Sequence, residues 1–123
     1  RERDVDAHYE IDADPPRGMI RVRLAGFFEA EDVRCFALRY REELARVPGT
    51  GHLTLADIRA MKIQAQDIVA AFSQFMASPD IRSRKLAFVC ASNLARLQAQ
   101  RLTDREEVRF FDDAGAAEAW LMQ

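Results

Sequence analysis

Histidine and cysteine are scarce in this chain: two of each occur in 123 residues, and no two of them share a helical or hairpin ligand spacing. Without a CxxC or a clustered set of ligands, neither a zinc site nor a dithiol redox motif is expected. Cys35 falls in an expected helix and Cys90 in an expected buried strand, so both read as small buried thiols of a reducing compartment. No glycine-rich phosphate loop is present; Gly26 stands alone and serves the turn out of its strand. No apolar run approaches the ~18 residues of a membrane span, and the start carries no signal peptide, which gives the cytoplasm as the expected location. A one-sided charge is also lacking. The 18 basic and 20 acidic residues leave a net charge of -2, so nothing in the bulk charge recruits nucleic acid or an anionic membrane. Nearly all the positive charge is Arg, which reads as codon bias rather than as a set of bidentate anion clamps.

What is present is one domain's worth of regular pattern, with no repeats, linker or low-complexity segment and with about half its residues apolar. Val5 to Ile11 alternates, Asp14-Pro15-Pro16-Arg17-Gly18 forces a turn, and Met19 to Leu24 alternates again, which predicts an antiparallel hairpin. The period then becomes helical through Val33, Phe36, Ala37, Tyr40 and Leu44, with Glu31 and Asp32 at the favourable amino end, until Pro48-Gly49 stops it. Leu53 to Ile58 forms a third strand, ended by Asp57. A helix faced by Ile68, Val69, Phe72, Phe75 and Met76 follows and stops at Ser78-Pro79. Leu86 to Ala91 is continuously apolar, the mark of a central strand covered on both faces. Ser92 or Asn93 caps a third helix carrying Leu94, Leu97 and Leu102, whose stripe is broken by Gln98 and Arg101. Val108 to Phe111 is the last strand, and Asp112 or Asp113 caps a helix with Ala117, Trp120 and Leu121 on one face.

The order is ββαβαβαβα, an α/β domain with a mostly parallel sheet and one antiparallel edge strand. The loops after the parallel strands then gather along one edge, where ligands of open α/β sheets are handled. Those loops present Phe28, Asp57, Arg59, Met61, Lys62, Ser92 and Asn93, with Arg96 on the helix behind them. One of Phe27 and Phe28 should alternate away from the core side, where it would line an apolar pocket or a partner surface, the other reading being a core residue that staples the helix start. Asp57 is read as a turn-shaping carboxylate tied to neighbouring backbone N–H groups and Arg59. The third helix, with Arg96, Gln100, Arg101 and Arg105, is the candidate face for a second subunit or another protein.

Catalytic arrangements fail on spacing. Geometry argues against a triad of Ser92, Asp57 and a histidine, because His52 and Asp57 lie roughly 16 Å apart along one strand and His8, within the hairpin, has no route to the loop edge. Asp112 and Asp113 beside Asp57, with Lys62, could grip Mg²⁺ as in a phosphotransfer protein or hydrolase, but acidic residues at a helix start more commonly cap it. The window Ala60-Met61-Lys62-Ile63-Gln64 holds no Ser, Thr, Cys or His to act as nucleophile or phosphorylation site.

Five segments in this order, Gly18-Met19-Ile20-Arg21-Val22, Leu24-Ala25-Gly26-Phe27-Phe28 with Glu31-Asp32, Leu55-Ala56-Asp57-Ile58-Arg59, Ala87-Phe88-Val89-Cys90-Ala91-Ser92, and Val108-Arg109-Phe110-Phe111-Asp112 leading to Glu118-Ala119-Trp120-Leu121, resemble the STAS-like family and its SpoIIAA-like branch. The resemblance spans nearly the whole chain. It implies a single bacterial α/β domain, without cofactor or catalytic machinery, that works by regulated protein interaction or by sensing small molecules. Distantly similar folds carry lipids. The anti-sigma antagonists of the branch switch on a serine just beyond the third strand, and this chain has no hydroxyl residue from Arg59 to Gln64. The sequence therefore leads to a non-enzymatic binding module that pairs with itself or another protein, the alternative being a carrier of a small apolar or lipid-like ligand. A small hydrolase or phosphotransfer protein stands last.

Overall fold

The computed structural model describes residues 6–103 and 105–123. Strands β1 (His8–Asp14) and β2 (Met19–Gly26) pair antiparallel from His8 opposite Ala25 to Asp14 opposite Met19. The turn between them is a single 3-10 turn, Pro15–Arg17, closed by Gly18 at φ 62°, a backbone conformation that costs a residue without Cβ little. Because this turn is tight, pairing runs right up to it. The first strand therefore extends to Asp14 instead of stopping at Ile11, while Val5 lies outside the described residues.

Helix α1 (Ala30–Leu44) leads to β3 (Leu53–Met61), α2 (Gln66–Met76) to β4 (Lys85–Val89), α3 (Asn93–Ala99) to β5 (Val108–Phe111), and α4 (Ala114–Leu121) ends the fold. The caps follow from local chemistry. The Asp32 carboxylate accepts the Glu29 N–H at 2.8 Å, Ser92 accepts from Ala95 N–H at 3.1 Å, and Asp113 accepts from Ala116 N–H at 2.8 Å. Cys90 sits just beyond β4, buried, and burial pushes its thiol pKa up, away from reactivity.

The sheet order is β1-β2-β3-β4-β5, with β2 to β5 parallel, so each crossover steps in the same direction. Right-handed crossovers taken in one direction place α1, α2 and α3 on a single face. The packing shows it. Val22, Leu24, Ala56, Ile58, Leu86 and Phe88 face Val33, Phe36, Tyr40, Ile68, Phe72 and Ala99, in a core that contains most of the aromatic rings. On the opposite face, Met19, Leu53, Leu55, Ala87 and Val89 pack against Ala117 and Leu121 of α4 alone. Two polar ties hold α4 there: Arg21 donates to Glu118 at 2.7 Å and to Asp14 at 3.1 Å, and Lys85 donates to the Trp120 carbonyl at 3.1 Å.

Strand β3 does not end at Asp57. It continues to Met61 beside the end of β2, through a bulge: Arg23 pairs Asp57 and Ala25 pairs Ala60, so β3 spends one extra residue there. Its partner on the other side, β4, stops at Val89 opposite Asp57, which explains why the sequence pattern loses its regular alternation at that point.

Candidate functional site

Between the sheet and its three-helix layer lies an apolar cavity. Its floor is Val22 and Leu24 of β2, Thr54, Ala56 and Ile58 of β3, and Leu86 and Phe88 of β4. Phe36 and Tyr40 of α1, Phe72 and Phe75 of α2, and Ala95 and Ala99 of α3 close it from above. Alanine at Ala56, Ala95 and Ala99 sets the room available, because neither floor nor roof carries a large side chain at those points. Together with its open mouths the space amounts to about 930 Å³, and the centre of a water-sized sphere can move through about 90 Å³ of it. One water needs only roughly 10–15 Å³ on that measure.

Each end of the cavity is polar. At the beginning of β3, the buried Tyr40 hydroxyl lies 2.8 Å from His52 Nε2 and 2.7 Å from Thr54 Oγ1. Burial pushes the Tyr40 pKa up to about 12 and holds that of His52 below its ordinary value, with the charge of Arg105 adding to the effect on His52. Both groups are therefore neutral near pH 7. Arg105, Arg82 and the buried Ser83 complete this end, where Arg105 donates to the Ser83 carbonyl.

At the far end Gln64, buried at 7% exposure, ties three segments together. Its side chain accepts the Phe28 N–H at 2.8 Å and donates to the carbonyls of Gly26 at 2.9 Å and Lys62 at 2.5 Å. Its own backbone is held by Gln98 of α3, which accepts the Gln64 N–H at 2.9 Å and donates to the Gln64 carbonyl at 3.0 Å. The polar break in the stripe of α3 is thus an inward-facing clamp. Lys62 and Ile63 are the exposed lining residues here, as Arg82 is at the other end.

The residues singled out from sequence do not share one site. Met61 and Lys62 line the cavity. Phe28 belongs to the core, at 4% exposure and with its ring 5.4 Å from that of Phe72, while its neighbour Phe27 is 47% exposed. Asp57 lies on the α4 face of the sheet, with Leu53 and Leu55. It accepts from Arg59 Nε at 3.0 Å, Nη2 at 2.8 Å and the backbone N–H at 3.1 Å, and these hydrogen bonds hold its carboxyl below the usual range. Ser92 is spent on capping, Asn93 is the first residue of α3, and Arg96 stacks 5.7 Å over the Phe110 ring.

Helix α3 differs most from expectation. It ends at Ala99, so Gln100, Arg101 and Arg105 lie beyond it, and the leucines expected to face inward at Leu94 and Leu97 are the exposed ones. In so short a helix Ala95, Gln98 and Ala99 make the inner side, which leaves i and i+3 leucines outside. Tyr40, His52, Thr54, Ala56, Gln64, Gln98 and Arg105 were missed as site residues. A signal for three of them existed: His52, Thr54 and Ala56 occupy one parity of a strand buried on both faces, where polar and small residues are out of place unless something is built around them.

The comparison of folds bears on this arrangement. An uncharacterised protein of the DUF3478 family from Shewanella loihica PV-4, whose crystal structure has a SpoIIAA-like fold, superimposes with a TM-score of 0.70 over 94% of this chain and 93% of its own, at 18% sequence identity. The fold is SpoIIAA-like. No family sequence model matches the chain, and no curated protein does. The SpoIIAA-like domain here contains, among its described residues, no helix long and apolar enough to cross a membrane.

Proposed function

We propose that this SpoIIAA-like domain binds a small apolar or lipid-like molecule between its sheet and its three-helix layer and performs no chemistry on it. The observation that carries this reading is the cavity itself: a space lined mainly by aliphatic and aromatic side chains in the core between the sheet and its three-helix layer, with polar groups confined to its ends. Protein interiors are ordinarily filled, so room of this kind beneath three helices is an exception to explain. The groups that might have supported catalysis are spent on structure, Asp57 on Arg59 and Ser92 on a helix cap.

Native mass spectrometry of the protein purified from its source, followed by extraction of the bound fraction, tests the reading. A co-purifying apolar molecule is expected, together with its loss in Ala56→Leu, which fills the floor. Protein that carries nothing and that takes up no apolar probe would overturn it.

A second reading, protein interaction by self-association, is favoured by Leu94 and Leu97, which are 60% and 59% exposed one turn apart on α3. Two adjacent exposed leucines on one helix side are a feature of contact surfaces. This role is compatible with ligand binding, because α3 also forms part of the cavity roof.

A further inference from the structure

The Tyr40 end of the cavity carries, among the described residues, one donor without an acceptor. Tyr40, His52 and Thr54 satisfy one another, and with His52 neutral that trio has no net charge to offer a ligand. Arg105 is different. It lines the cavity, one of its terminal nitrogens donates to the Ser83 carbonyl, and its Nε is buried with no hydrogen-bond partner among the described residues. Burying an N–H without a partner is costly, and burying it on a guanidinium is more so. Burial works against the charge of Arg105, and Arg82, which lines the same end, adds a second positive charge that works against it, while Glu107 works in its favour. No carboxylate among the described residues forms an ion pair with either arginine.

We propose that the cavity takes a single-chain amphiphile with a carboxylate head, the head meeting Arg105 and the chain running over Thr54, Ala56 and Ile58 toward Gln64. The chain direction follows from the lining, which is apolar from Ala56 onward until Lys62 and Gln64 are reached. A carboxylate fits because it is an acceptor-only anion that offers the buried Nε–H a partner once the Arg105 side chain turns toward the cavity, and a charge-assisted hydrogen bond outweighs a neutral one. This assignment rests on the reading of the cavity as a ligand site and adds the class of head group and the end it occupies.

Calorimetric titration of the whole protein with decanoate and with decanol separates the two ideas. Decanoate is expected to bind at least about tenfold more tightly than decanol. Arg105→Met should abolish that preference while retaining decanol binding, and Lys62→Met, at the opposite end, should retain the preference. Equal binding of decanoate and decanol by the native protein overturns the head-group assignment and leaves the apolar site standing. Binding of neither overturns the site as well. A preference that survives Arg105→Met and disappears in Lys62→Met places the head at the wrong end and overturns the assignment. The native comparison needs no variant, so it stands even where Arg105→Met fails to fold.

Discussion

Removing the Gln64 side chain should cost this domain more than its small size suggests. Of the three hydrogen bonds lost in Gln64→Ala, one leaves a partner already provided for, since the Gly26 carbonyl also accepts the Lys62 N–H at 3.1 Å, and another leaves the carbonyl of Lys62, an exposed residue. The Phe28 N–H is not provided for, since its residue is buried at 4% exposure and Gln64 Oε1 is its acceptor. An orphaned buried donor costs about 1–3 kcal/mol, and the lost bonds and packing of the amide bring the expected total to about 2–4 kcal/mol. At roughly 4 °C per kcal/mol for a domain of this size, the melting midpoint should fall by about 8–16 °C. Urea and thermal unfolding followed by circular dichroism give both numbers. A loss below about 0.5 kcal/mol would refute the reasoning, because it would mean that the Phe28 N–H finds water or another acceptor. Gln64→Glu sharpens the test. It keeps the acceptor for Phe28 but sets a carboxylate against two carbonyl oxygens, which raises its folded pKa above the ordinary glutamate value of about 4.3. With a raised folded pKa, its stability relative to the parent is best below about pH 4.3 and is lost as pH rises through the folded value.

Two further outcomes test other parts of the structure. His52 has a folded pKa held below 6.5 by burial and then by Arg105, so its contribution to stability is complete above pH 6.5 and is lost as pH falls from there through the folded value; a pH series of unfolding free energies should show this slope, and His52→Gln should flatten it, whereas an unchanged slope would sink the assignment. For the α3 surface, light scattering after size exclusion should give a mass that rises toward that of a dimer with concentration in the parent and stays monomeric in Leu94→Lys with Leu97→Lys; a parent that is monomeric at every concentration removes self-association.

What the sequence determined by itself was order and local chemistry. The ββαβαβαβα succession, the antiparallel first strand, the Pro-Pro-Arg-Gly turn and the choice of cap to within one residue, Ser92 or Asn93 and Asp112 or Asp113, all depend on neighbours within a few residues, and periodicity and side-chain type report those directly. Tertiary structure decided which way each element faces and where it stops. Alternation along Leu53 to Ile58 separates two parities without saying that Ala56 and Ile58 meet the three-helix layer and Leu53 and Leu55 meet α4 alone. The extension of β3 past Asp57 depends on β2 still offering a partner beyond the bulge, the inward turn of Phe28 on the Gln64 acceptor, and the exposure of Leu94 and Leu97 on the polar pair between Gln64 and Gln98. Each of these joins residues about 30 or more apart in the chain, and a burial or pairing of that kind is a property of the assembled layers, invisible to any pattern read over a few turns.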